Sequence, residues 1–253
     1  MPMSTGRARP GGPQAAPRVA LIAALAVERA GLASGDGAAF HQSGPGAARA
    51  GAAARAAVAG GAAAIVSWGF AGGLAAALAA GDVVLPVRIV GPGGAEWLAD
   101  ARWHAALAAG LAAALGARAR IHVGALVCVA HVLESPRAKL AVAETTGAVA
   151  ADMESAAVAA VAAEHGLPFA AVRVVADTSA DTLPADVGEW VDAAGHRKLM
   201  PVLGAAIRPL QWPALLTIAA RYRLARRTLA AAARHLATCD YCVPAEPAQA
   251  RRR

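Results

Sequence analysis

Three acidic groups stand where apolar segments end. Glu28 closes the run VALIAALAV, Asp177 closes FAAVRVVAD, and Asp152-Met153-Glu154 lies between a short apolar stretch and an Ala/Val-rich segment. In open α/β sheets the ligand crevice lies beyond the carboxyl ends of the strands. Taken singly, an acid after a strand is most often a helix cap or a solvated loop charge. Three of them converging beside the glycine-rich stretch Gly69-Phe70-Ala71-Gly72-Gly73 suit acid–base chemistry on a bound ligand.

The elements that must position these groups follow from apolar periodicity and breakers. The spacing predicts a buried first strand over Val19–Val27 and a loop ending at Gly44-Pro45-Gly46. A helix follows from about Ala47 to Gly60. Next come a strand AAAIVSW, a glycine turn at 69–73, a short helix LAAALAA over 74–80 and a strand VVLPVRIV. Beyond it are a helix over 97–116, a strand over 121–132, a helical turn over 136–144 and a brief strand at 148–151. A helix from Glu154 to His165, capped by Gly166, leads into the strand ending on Asp177, and a last helix runs from about Pro213 to Leu236. Strands alternating with helices argue α/β with a largely parallel sheet.

The 253 residues are 57% hydrophobic but only 4% aromatic, so Ala must build the core, and a charged content of 16% excludes a disordered chain. Three Cys exclude a disulfide scaffold and point to a reducing compartment. The pair Cys239/Cys242 lacks a second pair or a His pair, so no metal site is expected. The apolar run after Arg7, Arg9 and Arg18 has nine residues and ends in Glu28-Arg29, which favours a strand after a leader (residues 1–17, read as disordered) over a signal peptide. Ala56 to Gly81 is uncharged but holds six Gly, which favours helix end, strand and turn over a membrane span.

Charge is unevenly placed. Residues 1–196 carry 13 basic and 15 acidic side chains, whereas residues 197–253 carry 11 basic and 2 acidic, so the excess of +7 is C-terminal. A basic tail meets nucleic acid, an anionic membrane or water; without aromatic–basic interleaving or a nucleic-acid motif, no nucleic-acid partner is expected. Arg173, inside a strand, reads as a buried structural partner.

The segments ALAVERAGL, Ser43-Gly44-Pro45-Gly46, SWGFAGGLAAALAAGDVVLP and ADMESAAVAAVAAEHGLPFAAVRVVAD occur in the order found in the purine nucleoside phosphorylase and nucleosidase superfamily, which the chain resembles over about residues 18–190. The extension from ADTLPADVGEW to ARHL is similar to the tail of the hopanoid-associated phosphorylases, which are associated with removing adenine from adenosylhopane. The resemblance implies a three-layer αβα sandwich with a central mixed sheet, organised as the leader 1–17, a catalytic domain 18–196 and a basic helical extension 197–253. It implies that Asp177 protonates purine N7, that Glu154 binds the ribose hydroxyls with Met153 packed on the sugar, and that Glu28 activates water. Phe70 and Gly72 fall in the substrate-binding stretch. No cofactor or metal is implied, and phosphate is a candidate co-substrate. The phosphorylase motif of the Arg-x-Gly-Thr type is replaced here by Ser67-Trp68-Gly69-Phe70, so phosphate would rest on the amides of residues 44–47 with Arg29 or Arg49 nearby. The narrower resemblance favours phosphorolysis of an adenosyl lipid. The alternative is hydrolysis of a soluble adenine nucleoside such as methylthioadenosine or adenosylhomocysteine. A homo-oligomer (dimer) in the cytoplasm is expected, with peripheral contact at the inner membrane face.

That contact would be made by the last helix. Its spacing places Leu215, Ile218, Ala219, Tyr222, Leu229, Ala233 and Leu236 on one stripe, flanked by Arg residues. It is too short in uncharged residues to span a bilayer; either it docks its stripe on the domain with its Arg heads solvated, or it lies in the membrane interface. On this reading, deletion of residues 213–253 weakens binding to anionic liposomes and leaves soluble-substrate cleavage intact.

Overall fold

The apolar run at the start folds as β1 (Val19–Ala23), buried along its whole length between two neighbours. The computed structural model describes residues 19–32, 38–184, 192, 194–196 and 212–243. β1 is followed by β2 (Ala38–Gln42), α1 (Ala47–Ala59), β3 (Ala64–Gly73), β4 (Val83–Val90) and β5 (Glu96–Leu98). Then come α2 (Ala101–Leu115), β6 (Ile121–Cys128), α3 (Pro136–Thr146), β7 (Ala148–Asp152), α4 (Ser155–Glu164), β8 (Phe169–Asp177) and α5 (Trp212–Ala237).

The strands form one eight-stranded sheet in the order β2-β1-β3-β7-β6-β4-β5, with β8 pairing both β3 and β4. β3, β8, β4, β6 and β7 therefore pair in a ring. Pairing is parallel for β1 with β2 and β3, β3 with β8, and β6 with β4 and β7; it is antiparallel for β3–β7, β4–β5 and β4–β8. Alternate side chains face opposite layers. Ile22 and Ile65 pack with Ala50, Ala54, Val158 and Ala159 under α1 and α4. Leu21, Val66 and Trp68 pack with Trp103, Leu107 and Leu229 under α2 and α5. The result is a three-layer αβα sandwich with a mixed sheet. α1 packs on α4, with Gly51 beside Ala157, and the buried face of α1 is made of small residues, Ala50, Gly51, Ala54 and Ala57.

Several boundaries differ from expectation. β1 stops at Ala23, and Ala26–Arg29 form a 3-10 turn, because the Glu28 carboxylate reaches back to the Leu25 amide. The glycine stretch 69–73 is not a turn but the end of β3: its ladder continues opposite β8 as far as Gly72, beside Asp177, and Gly72–Gly73 also pair with β7. Residues 74–80 form turns rather than a helix, since one apolar heptad is too short to propagate. Trp97 and Leu98 lie in the edge strand β5, and helix α2 starts only after Asp100, whose carboxylate accepts from the Trp103 amide at 2.8 Å. β2 and β5 have no expected counterpart. The leader 1–17, residues 197–211 and the side chain of Leu215 lie outside the described residues.

Helix α5 buries Ala225, Thr228, Leu229, Ala232, Ala233 and Leu236, while Ala219 is exposed and Ile218 and Tyr222 are half-buried. The expected stripe thus holds in the C-terminal half and shifts in the N-terminal half. Ala225, Leu229, Ala232, Ala233 and Leu236 are 0% exposed and share one core with β1 and α2. This corrects the expectation that residues 213–253 can be deleted with cleavage intact, because burying each large aliphatic side chain contributes about 1.5–3 kcal/mol. Among the described residues, no helix is long and apolar enough to cross a membrane. Cys239 and Cys242 pair as a disulfide just past α5, a local link that the spacing alone did not indicate.

Candidate active site

Glu28 sits in the turn after β1, 2% exposed. Its Oε2 accepts from the Leu25 amide at 2.8 Å and its Oε1 from the Phe70 amide at 2.9 Å. The backbone of β3 has to yield space for it. Gly69 has φ +147°, and a Cβ there would lie 2.2 Å from Glu28 Oε1 and 2.6 Å from Arg173 Nη1. Only glycine allows both the conformation and the approach. Burial pushes the Glu28 carboxyl up to about 7, against the pull of Arg173 and the two amides.

Glu154 lies at the junction of β7 and α4. Its Oε1 accepts from the Gly46 amide at 2.8 Å, bridging to the start of α1, and its Oε2 accepts from the Met153 amide at 3.3 Å. Burial raises its pKa, and the neighbouring Asp152 raises it further. Between the acids stands Arg173 on β8, 1% exposed. Its Nη2 reaches Asp152 Oδ2 at 2.6 Å, Ser67 Oγ at 2.6 Å and Ser155 Oγ at 3.0 Å. Burial works against the Arg173 charge, but Asp152, Glu154 and Glu28 outweigh it and raise its pKa. One cation thus serves three acids, so the acids compete for ionisation.

Asp177 ends β8 beside Gly72, where a Cβ would lie 3.3 Å from its Oδ2. Lys139 of α3 donates to that Oδ2 at 2.5 Å. Burial raises the Asp177 pKa, while Lys139 and then Arg221 draw it back. Arg221, on α5, pairs with Asp181, and Tyr222 packs on Phe70 with ring centroids 5.1 Å apart.

The structure thus brings Glu28, Met153, Glu154, Phe70, Gly72 and Asp177 to one edge of the sheet. Glu28 holds the Phe70 amide and Asp177 faces Gly72, two residues on, roughly 7 Å along the strand. Parts of the suggested phosphate cradle have other partners. The Gly46 amide donates to Glu154, Arg49 donates to the Pro45 carbonyl at 3.1 Å, and Arg29 lies over the Phe40 ring. Ser67 is enclosed with Arg173. Sequence reading missed Lys139, Asp181, Arg221 and Tyr222, which come from α3, a loop and α5. One signal was legible: Lys139 is one of only two lysines among 24 basic residues. Among the described residues, no cluster of three His, Cys, Asp or Glu side chains is placed to hold a metal.

The raised Glu28 pKa has a measurable consequence. An acid with its ordinary value of 4.5 lifted to about 7 binds its proton more tightly when folded. Its stabilising contribution is complete below pH 4.5 and is lost as pH rises through 7. Between pH 5 and 8, wild type should lose on the order of 3 kcal/mol relative to Glu28→Gln. The comparison cancels the opposite contribution of His41, whose pKa burial lowers. Urea unfolding of both proteins across this range checks it; parallel curves would remove the buried acid from the account.

Carboxylates gathered beyond the strand ends of an α/β sandwich suit acid–base chemistry on a bound ligand. Residues 28–200 match the phosphorylase superfamily, and the chain belongs to that superfamily and is an enzyme of it. A 5′-methylthioadenosine/S-adenosylhomocysteine nucleosidase of Shewanella halifaxensis is 26% identical over 157 residues, covering 55% of this chain and 67% of that protein. The fold is similar to the crystal structure of such a nucleosidase from Neisseria meningitidis in complex with methylthio-immucillin-A, with TM-score 0.65 and 18% identity over 87% of this chain and 97% of the other. Futalosine hydrolase of Helicobacter pylori is similar in fold too, with TM-score 0.65 and 15% identity over 88% and 98%.

Proposed function

We propose that the enzyme cleaves the N-glycosidic bond of an adenine nucleoside, with water as the nucleophile. The observation that carries this reading is the pair of buried glutamates, Glu28 and Glu154, each held by backbone amides, with Asp177 beside Gly72 on the strand whose Phe70 amide Glu28 holds. As the C1′–N9 bond breaks, its electrons pass to the purine, and Asp177 gives N7 a proton. An adenine anion is a poor leaving group, so this step is worth a positioned acid, and burial favours the protonated carboxyl. Glu154 accepts the ribose hydroxyls and faces the positive charge developing on the sugar. Water attacks C1′ and passes a proton to Glu28. The ribosyl product and neutral adenine leave, and solvent exchange returns the proton from Glu28 and restores that of Asp177.

Water is favoured over phosphate because Arg173, the cation that bears on both glutamates, is already paired with Asp152, and the Gly46 amide is taken by Glu154. A lipid-linked adenosyl substrate of the adenosylhopane kind is the narrower form of the reading. It is supported by the outer part of α5, where Leu216 and Leu224 are 65% and 46% exposed beside exposed Arg223, Arg226 and Arg227. Such a face fits an anionic membrane surface, with apolar burial and charge attraction adding. Adenine release is the test, measured on methylthioadenosine and on an adenosylated lipid in anionic vesicles, each with and without phosphate. Release without phosphate is expected. Strict phosphate dependence would overturn the water mechanism, and equal rates on both substrates would remove the lipid preference.

A further inference from the structure

We propose that Lys139 is a positioning residue for Asp177, holding one carboxylate oxygen and the loop behind it so that the other oxygen faces the ligand. The inference rests on the proposed role of Asp177 as proton donor.

Lys139 is 1% exposed, and its ammonium meets three oxygens: Asp177 Oδ2 at 2.5 Å, the Thr178 carbonyl at 2.6 Å and the Asp181 carbonyl at 3.2 Å. An ammonium has three hydrogens, and each has an acceptor here. A planar guanidinium spreads its donors in a fork and does not fit three oxygens converging on one point. That accounts for a lysine in a chain where 22 of 24 basic residues are Arg. The loop behind Asp177 is tied a second time. Asp181 Oδ2 accepts from the Thr178 amide at 2.8 Å and the Thr178 hydroxyl at 2.9 Å, and Asp181 Oδ1 pairs with Arg221. α3 and α5 therefore clasp residues 177–181 from two sides. Among the described residues Asp177 Oδ1 accepts no hydrogen bond, and the missing side chain of Gly72 relieves a tight 3.3 Å approach to Oδ2, the oxygen that Lys139 holds. Lys139, Asp181 and Arg221 are the charged groups nearest the carboxylate from α3, the loop and α5.

The full-length protein carries the test, with Lys139→Met, Asp177→Asn, the double variant and Lys139→Arg. Lys139→Met should lower kcat for adenine release about 10- to 100-fold, the scale of a misplaced reacting group. In the Asp177→Asn background it should cost less than about threefold, because Lys139 acts through Asp177. The Asp177 carboxyl, followed by carbon NMR, should titrate at higher pH in Lys139→Met, since a neighbouring cation has gone. Losses that multiply in the double variant, or a titration that does not move, would overturn the inference. If wild type releases no adenine, the proposed function fails, and the titration then decides the Lys139 contact alone. If Lys139→Met loses its melting transition, Lys139→Arg takes its place: kcat falls several-fold with the titration near that of wild type, and a wild-type kcat overturns the proposal.

Discussion

Asp177→Asn is expected to lower the turnover of adenine release by about 10²–10⁴-fold, the usual scale for a general acid. The substitution keeps shape and volume. The amide oxygen of Asn still accepts from Lys139, so the clasp over residues 177–181 persists. On the proposed mechanism, what is lost is the acidic proton given to purine N7 as the glycosidic bond breaks. Because the change falls on a group that acts only in the transition state, kcat carries the loss and KM stays within a few-fold. Steady-state release on methylthioadenosine checks this directly. Full activity in the variant would take Asp177 out of the mechanism.

Glu28→Gln is expected to have an effect of the same order, about 10²–10⁴-fold in kcat, for the opposite reason. Here the protein loses a proton acceptor. The wild-type carboxylate holds the Leu25 amide on one oxygen and the Phe70 amide on the other. Gln offers one oxygen and presents an NH2 group to the second amide. The variant therefore loses one hydrogen bond as well as the base, and a melting curve must accompany the kinetics. The proton taken from water is the discriminating feature. A strong external nucleophile such as azide or hydroxylamine needs no base, so it should restore part of the lost cleavage in Glu28→Gln and none in Asp177→Asn. Equal rescue of both variants would contradict the division of labour between the two carboxyl groups.

The two substitutions also bear on how α5 enters the site. Tyr222 packs on Phe70, whose amide holds Glu28, and Arg221 pairs with Asp181 behind Asp177. The helix that carries the exposed basic face thus meets Phe70 of β3 and the loop that follows Asp177. On the proposed reading, the face offered to a membrane and the side chains that meet the site belong to neighbouring residues, 221 to 224.

The residues of β8 show what local sequence can determine. FAAVRVVAD is apolar, β-branched and bounded by Leu167-Pro168, and it forms the strand Phe169–Asp177 with the expected limits. The helix after Gly46, the acids at the strand ends and the family likeness were equally legible, because each depends on residues close together in the chain. The stretch 69–73 was read wrongly for a physical reason. Glycines have no side chain to favour extension, and they remain in a strand only when distant partners satisfy their amides; here those partners are β7 and β8, more than seventy residues on. Position 69 must be glycine because Glu28 and Arg173 crowd it, a requirement invisible until β1 and β8 are placed on either side of β3. Lys139 lay outside every quoted motif and Arg221 stood in the tail with no role attached, since their role comes from converging on one loop from two helices. Periodicity placed an apolar stripe along α5, yet which face is covered was decided by the sheet and α2, whose surfaces leave room for Ala225 and Leu229 and not for Ala219. Local propensity and pattern thus determined most of the elements and named the acids, whereas long-range packing added the edge strands β2 and β5 and determined which charges share a site and which cation holds each of them.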